Sequence, residues 1–177
     1  MKQAIAGVAP PDLEEVTIMT VWPTIAVTGL GRWLGRWYES RAGLGKFFTV
    51  GKLALLLSIP AALGLFFFLL APGFNRRYRL TNRRLIVERG TRPLLEKGPR
   101  PIVEAFVLLD DFDSIDIVVL PGQEWYKAGE MIFRKGPVET FRISGVSRPE
   151  PFRHTCLEAQ RSFTSVKHEV ARQLAMA

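Results

Sequence analysis

The sequence predicts a membrane-anchored α+β protein, with apolar helices first and a small β domain ending in a helix after them. Three observations support this class. Residues 47–71 form a long apolar run, the apolar period changes from helical to two after Pro72-Gly73, and a last segment at about 150–175 returns to helical spacing. The predicted organisation is an N-terminal extension, a membrane anchor and a β domain, at 1–15, 16–72 and 73–177.

The apolar run is long enough for a spanning helix. Nineteen residues from Leu53 to Ala71 carry no charge, and at 1.5 Å per residue they can cross a hydrocarbon core of roughly 30 Å. Lys52 lies at the margin, where its charge can reach the interface, and Pro60 is expected to bend the helix. The alternative is a buried core helix, but 177 residues offer little to surround one so apolar. The sequence therefore predicts a spanning helix at about 47–71.

The preceding segment, residues 16–38, is apolar in patches but contains two arginines. On a helix over about 24–38, four polar residues recur every four positions and form one stripe: Thr24, Thr28, Arg32 and Arg36. Tryptophan and arginine together are typical of an interfacial helix. We therefore favour an in-plane or re-entrant helix over a second span, with these interfacial residues: Trp22, Arg32, Trp33, Arg36, Trp37 and Tyr38. Gly31 and Gly35 form a small-residue pair that could admit a neighbouring helix.

Residues after Pro72-Gly73 alternate as strands do. RRYRLT (76–81) and LIVERG (85–90) flank the turn Asn82-Arg83 and predict a hairpin. Further strands are predicted at 102–109, 114–120, 131–135 and 138–144. This order, closed by one amphipathic helix, is typical of a small β-barrel or sandwich with a helix at one end. The expected core residues are Phe106, Leu108, Ile115, Ile117, Val119, Ile132, Phe133, Phe141, Ile143, Phe163 and Val170.

The run YRLTNRRLIVERG (Tyr78–Gly90), placed after an apolar segment, resembles the opening hairpin of bacterial pleckstrin-homology-like membrane proteins. The order of the later residues agrees, through Gly129-Glu130-Met131-Ile132-Phe133 and FRISGVSRPEPF (141–152). The resemblance covers about 73–177 and, more loosely, the anchor. It implies a pleckstrin-homology-like β-barrel capped by a C-terminal helix, and an adaptor rather than an enzyme.

A basic strip begins directly after the apolar run. From Arg76 to Arg100 there are nine basic residues and two acidic ones, a net charge of +7 that equals the charge of the whole chain. Nucleic acid is an alternative partner for such a strip, but its position favours anionic lipid headgroups. By the positive-inside tendency, the β domain is expected at the cytoplasmic face of a bacterial inner membrane. The headgroup contacts are assigned to Arg76, Arg77, Arg79, Arg83, Arg84 and Arg89.

The titratable residues show no catalytic or metal-binding pattern. His154 and His168 lack a second ligand at metal spacing, and the acidic turn at 110–116 lacks the glycine and glutamate of a calcium loop. No nucleophile has an evident base, so no enzyme activity, metal or cofactor is expected. The predicted function is a scaffold subunit of a larger bacterial membrane complex, possible settings being respiratory or photosynthetic assemblies. The alternative is an anionic-phospholipid-binding adaptor, and the expected partners are membrane lipids and other membrane subunits, without nucleic acid.

Overall fold

The fold is described from a computed structural model, which describes residues 15–39, 43–44, 48–70, 76–89 and 102–176. Two antiparallel sheets form its body. The first sheet has the strand order β1-β4-β5-β6. Its strands are β1 (Thr17–Val21), β4 (Arg76–Thr81), β5 (Arg84–Arg89) and β6 (Ile102–Leu108).

The second sheet has the order β7-β8-β9. Its strands are β7 (Ser114–Val118), β8 (Ala128–Lys135) and β9 (Val138–Ser147). Gly136 turns the β8–β9 hairpin with a φ of 58°, a left-handed conformation that glycine adopts without steric cost. Strands β2 (Gly43–Leu44) and β3 (Phe48–Thr49) form a separate short ladder.

Three α-helices and one short 3-10 helix, Ile25–Val27, complete the described chain. The α-helices are α1 (Gly29–Glu39), α2 (Val50–Leu70) and α3 (Pro149–Met176). Thr28 caps α1, because its hydroxyl accepts a hydrogen bond from the Gly31 backbone N–H at 3.0 Å. Pro149 begins α3, where its missing N–H leaves no helical hydrogen bond unmade.

The predicted β-barrel is wrong, because the two sheets do not join into a closed ladder. At one corner they are joined by the bridge between Pro23 and Val146 and by the hydrogen bond from the Thr24 N–H to Gly145 O, 2.8 Å, rather than by a continuous ladder. At the other corner, the acidic turn between β6 and β7 separates them, and no ladder between these strands is present among the described residues. The architecture is two packed sheets with a helix against them.

The core lies between the two sheets and α3. Its largest buried side chains include Phe112, Phe133 and Phe152. Of the predicted core residues, Phe106, Leu108 and Val119 are exposed. On and just after β6, Val107 and Leu109 are buried instead of Phe106 and Leu108. Strand β6 is apolar on both faces, so alternation could not determine which face lies inward, and the predicted facing was off by one residue.

The predicted membrane anchor is also wrong. Among the residues that the structure describes, no helix is long and apolar enough to cross a membrane. The predicted transmembrane helix and the predicted location, in a bacterial inner membrane with the β domain facing the cytoplasm, therefore have no support.

Candidate interaction surfaces

Helix α1 packs backbone to backbone against the loop between β7 and β8. A Cβ atom added to Gly35 would lie 2.0 Å from the carbonyl oxygen of Gly122, and one added to Gly122 would lie 2.0 Å from that of Arg32. Neither position can carry a larger side chain without moving the backbone. The glycine pair noted in the sequence thus admits a neighbour, but at Gly35 the neighbour is a loop rather than a helix.

Polar contacts strengthen this docking. Arg32 lies 3.8 Å from Glu130, whose side chain is buried in the second sheet. The backbone N–H of Trp125 donates to the Glu39 carboxylate at 2.9 Å. The Tyr38 hydroxyl lies 2.5 Å from the Ser58 hydroxyl and so connects α1 to α2. Helix α1 is held to both the second sheet and α2.

The opposite face of α1 is aromatic and exposed. Leu30, Trp33 and Trp37 lie at helical spacing and are each about half exposed, and the two indole rings are 5.5 Å apart. Arg36 lies exposed beside them. Of the six predicted interfacial residues, three therefore share this face, whereas Tyr38 is buried and Arg32 is turned toward Glu130. Contact of this face with a membrane surface stays a prediction.

Helix α2 presents apolar side chains on every side. Leu57 is 75% exposed and Phe67 is 65% exposed, and no side chain described between Leu56 and Leu69 is buried. The half-buried positions form one stripe at spacings of four and three: Ser58, Ala62, Leu65 and Leu69. A helix that is apolar all round belongs inside a larger packed structure, and the described part of the chain covers only this stripe.

An open cleft of about 740 Å³ lies where β1 ends and α3 begins. Trp22, Phe66, Arg148 and Phe152 are among the residues that line it. Trp22, predicted as interfacial, is therefore separate from the aromatic face of α1. Arg148 has a φ of 46°, a left-handed conformation that is unfavourable for a long side chain.

The described part of the basic strip lies on strands β4 and β5 and in the turn between them, and carboxylates pair with four of its six arginines. Glu88 is 1% exposed and receives Arg77 at 2.5 Å and Arg79 at 2.7 Å. Arg84 pairs with Glu15 at 2.8 Å, and Arg76 pairs with Glu104 at 2.6 Å. These contacts leave less charge for an outside anion than the sequence implied.

The other two predicted headgroup residues lie at the ends of β5. Arg83 is in the β4–β5 turn, and Arg89 ends β5 opposite Arg76. These six arginines therefore follow one hairpin and do not converge on a single point. Headgroup binding by these residues stays a prediction.

The shifted titratable groups have structural causes. Burial raises the pKa of Tyr78 to about 12, and its hydroxyl donates to the Ser144 carbonyl at 2.7 Å, between the two sheets. Burial also raises the pKa of the Cys156 thiol well above its usual range. The Arg84 guanidinium holds the pKa of Glu15 below its usual range. Within the described ranges, no group of three or more His, Cys, Asp or Glu residues could hold a metal ion.

Sequence reasoning missed the two buried acids that organise these surfaces. Glu88 and Glu130 come from different sheets, and each has two arginines within 4 Å. The sequence of β5 offered one signal for Glu88. It is an acid within a hairpin rich in arginine, and a buried acid needs a charged partner. The Arg32 partner of Glu130 depends on long-range packing and leaves no local signal.

Comparison with protein-family models, with curated proteins and with solved structures found no match for this chain. The resemblance to bacterial pleckstrin-homology-like proteins therefore stays a prediction that rests on Tyr78–Gly90 and the residues that follow.

Proposed function

We propose that this chain is a non-enzymatic scaffold subunit that binds apolar helices of other protein subunits through α2 and the aromatic face of α1. The observation that carries the proposal is the exposure of α2 on all sides but one. Large contiguous apolar patches on a protein surface mark interaction sites. The exposed residues of α2 include three consecutive phenylalanines, Phe66 to Phe68.

The contact between α1 and α2 supports a helical partner. Helix α2 already packs one stripe against α1, through small or aliphatic residues and the Ser58–Tyr38 contact. Its remaining sides carry leucine, isoleucine and phenylalanine at the same helical spacings, which are the residues that pack helix against helix. The exposed Trp33 and Trp37 add the aromatic anchors that dominate interface energies.

The alternative, an anionic-lipid adaptor, is less well supported. Such a module needs cationic side chains available to headgroups. Arg76, Arg77, Arg79 and Arg84 are instead engaged by carboxylates of this chain. The large exposed surface on α2 is apolar, which favours protein contacts.

Site-specific photocrosslinking in cells tests the proposal. A photoreactive residue in place of Phe67 is expected to give discrete protein adducts, which mass spectrometry can identify and locate on apolar helices. Val138 is the matched control, since it is 60% exposed on the β8–β9 hairpin, on the second sheet rather than on α2. The same group there is expected to give no discrete protein adduct. Adducts with lipid alone at position 67, or equal adducts at both positions, would contradict the scaffold proposal.

A further inference from the structure

A second apolar surface lies on the outer face of the first sheet, on its edge strand β6. Val103, Phe106 and Leu108 pair in register with Glu88, Ile86 and Arg84. Paired residues on neighbouring strands share a face of the sheet. These three are 50%, 51% and 40% exposed, whereas Val107 on the opposite face is buried. An exposed sheet face is normally polar, so this apolar ridge requires another explanation.

A row of arginines runs beside the ridge. Arg77 and Arg79 pair in register with Glu88 and Ile86, and Arg84 lies across from Leu108. Their side chains are 28%, 27% and 36% exposed, whereas Glu88 is buried beneath the first two. These three arginines therefore place nitrogen donors at the surface of β4 and β5. The Arg84 guanidinium carbon lies 5.3 Å from the centre of the Phe106 ring, which ties the row to the ridge.

The carboxylates cancel two of the three charges in this row and hold all three guanidinium groups in place. Arg77 and Arg79 are fixed by Glu88, and Arg84 is fixed by two hydrogen bonds to Glu15, at 2.9 and 2.8 Å. Two carboxylates against three guanidinium groups leave a net charge of +1 on this set. Side chains held in place lose less conformational entropy when a ligand binds, and Arg beside an aromatic anchor is a typical interface composition.

We infer that the ridge and the arginine row bind an acidic, amphipathic segment of a partner protein. This inference rests on the proposed scaffold function and names a second contact for it. The apolar side chains of the segment would pack on the ridge, and its carboxylates would pair with the arginines. A second copy of the chain fits poorly, because it would bring the same arginines face to face, and like charges at an interface are costly. A flat anionic membrane would not need a narrow ridge on one strand.

Binding of synthetic peptides to the full chain tests the inference by fluorescence anisotropy. The probe is a short peptide of alternating leucine and glutamate, and its counterpart carries lysine in place of glutamate. The acidic peptide is expected to bind and to weaken as salt is raised, since screening acts on partly exposed charges. The lysine peptide is expected not to bind. Phe106→Ala and Arg79→Gln are each expected to weaken binding by about tenfold.

Matched substitutions on the second sheet are the controls. Val138→Ala removes an exposed apolar side chain, and Arg134→Gln removes an arginine paired with Asp116 at 2.7 Å. Both are expected to leave binding unchanged, and the thermal melt of each variant checks folding. Phe106 is half exposed, so its variant tests the site even if Arg79→Gln unfolds.

Three outcomes would overturn the inference. They are no binding of the acidic peptide, equal binding of the lysine peptide, and no effect of either variant on peptide binding. Vesicles of phosphatidylglycerol test the membrane alternative: if the same two variants weaken vesicle binding and not peptide binding, the site is a lipid surface. Crosslinking from position 67 does not involve the ridge, so the scaffold function can hold while this inference fails.

Discussion

Along α3, apolar residues recur at spacings of four and three, whereas along α2 they occupy every side of the helix. The α3 stripe runs Phe152, Cys156, Ala159 and Phe163, and the first three of these are buried. The α2 stripe that faces the domain has the same spacings, but its members are only half-buried. The spacing of apolar residues decides which side of a helix packs against its own domain. Apolar side chains outside that stripe, as on α2, remain exposed unless another molecule covers them.

The largest expected effect tests this difference directly. Phe152→Ala should lower the free energy of unfolding by about 3–5 kcal/mol, because it empties a buried site between α3 and the sheets. Phe67→Ala, the matched change on α2, should alter it by less than about 0.5 kcal/mol, because that side chain is mostly exposed. Urea unfolding of the isolated chain measures both. Similar losses at the two positions would show that α2 is part of the core.

A second pair of substitutions compares two helical glycines. Gly35→Ala should destabilise by about 1–3 kcal/mol, because its Cβ would meet the Gly122 carbonyl oxygen at 2.0 Å. Gly64→Ala in α2 should stabilise by up to about 1 kcal/mol, since no atom lies within 4 Å and alanine favours the helix. Thermal unfolding gives the sign of each change, and hydrogen exchange in α1 shows whether Gly35→Ala loosens it. Stabilisation by Gly35→Ala would mean that α1 does not dock on the β7–β8 loop.

Local patterns predicted much of the secondary structure. The hairpin of β4 and β5 spans Arg76–Arg89, where alternation and the Asn82-Arg83 turn placed it, and α3 spans Pro149–Met176, close to the predicted 150–175. Barrel closure could not be predicted in the same way. It depends on whether β6 and β7 pair, which is a long-range contact, and the acidic turn between them is compatible with either outcome.

The candidate surfaces were harder to predict than the strands. Clustering in sequence found the arginines, but their charge seemed free because Glu15 and Glu104 come from distant positions in the chain. The ridge on β6 was assigned to the core, because Phe106 and Leu108 are as apolar as the residues that are buried. Where a strand is apolar on both faces, its sequence does not show which face is exposed.

The smallest expected effect concerns how the later part of α3 is held. Lys167 donates to the Asp110 carboxylate at 2.8 Å, and this hydrogen bond holds the pKa of Asp110 below its usual range. A carboxyl with a lower pKa in the folded state contributes stability above its unfolded pKa, about 3.9, and loses it as the pH falls through the folded value. Both side chains are more than one third exposed, so the contribution should be only a few tenths of a kcal/mol.

Lys167→Met should therefore raise the pKa of Asp110 toward its usual value, measured by NMR titration of the side-chain carboxyl. Glu15 is the internal control, because its pKa is lowered by Arg84 on the first sheet and should not change. The variant should lose a little stability at neutral pH and almost none at the acid end of the range, where Asp110 is protonated in both states. An unchanged Asp110 pKa would mean that the Lys167–Asp110 contact does not hold α3 beyond Phe163. In that case the two helices would differ only in their apolar stripes.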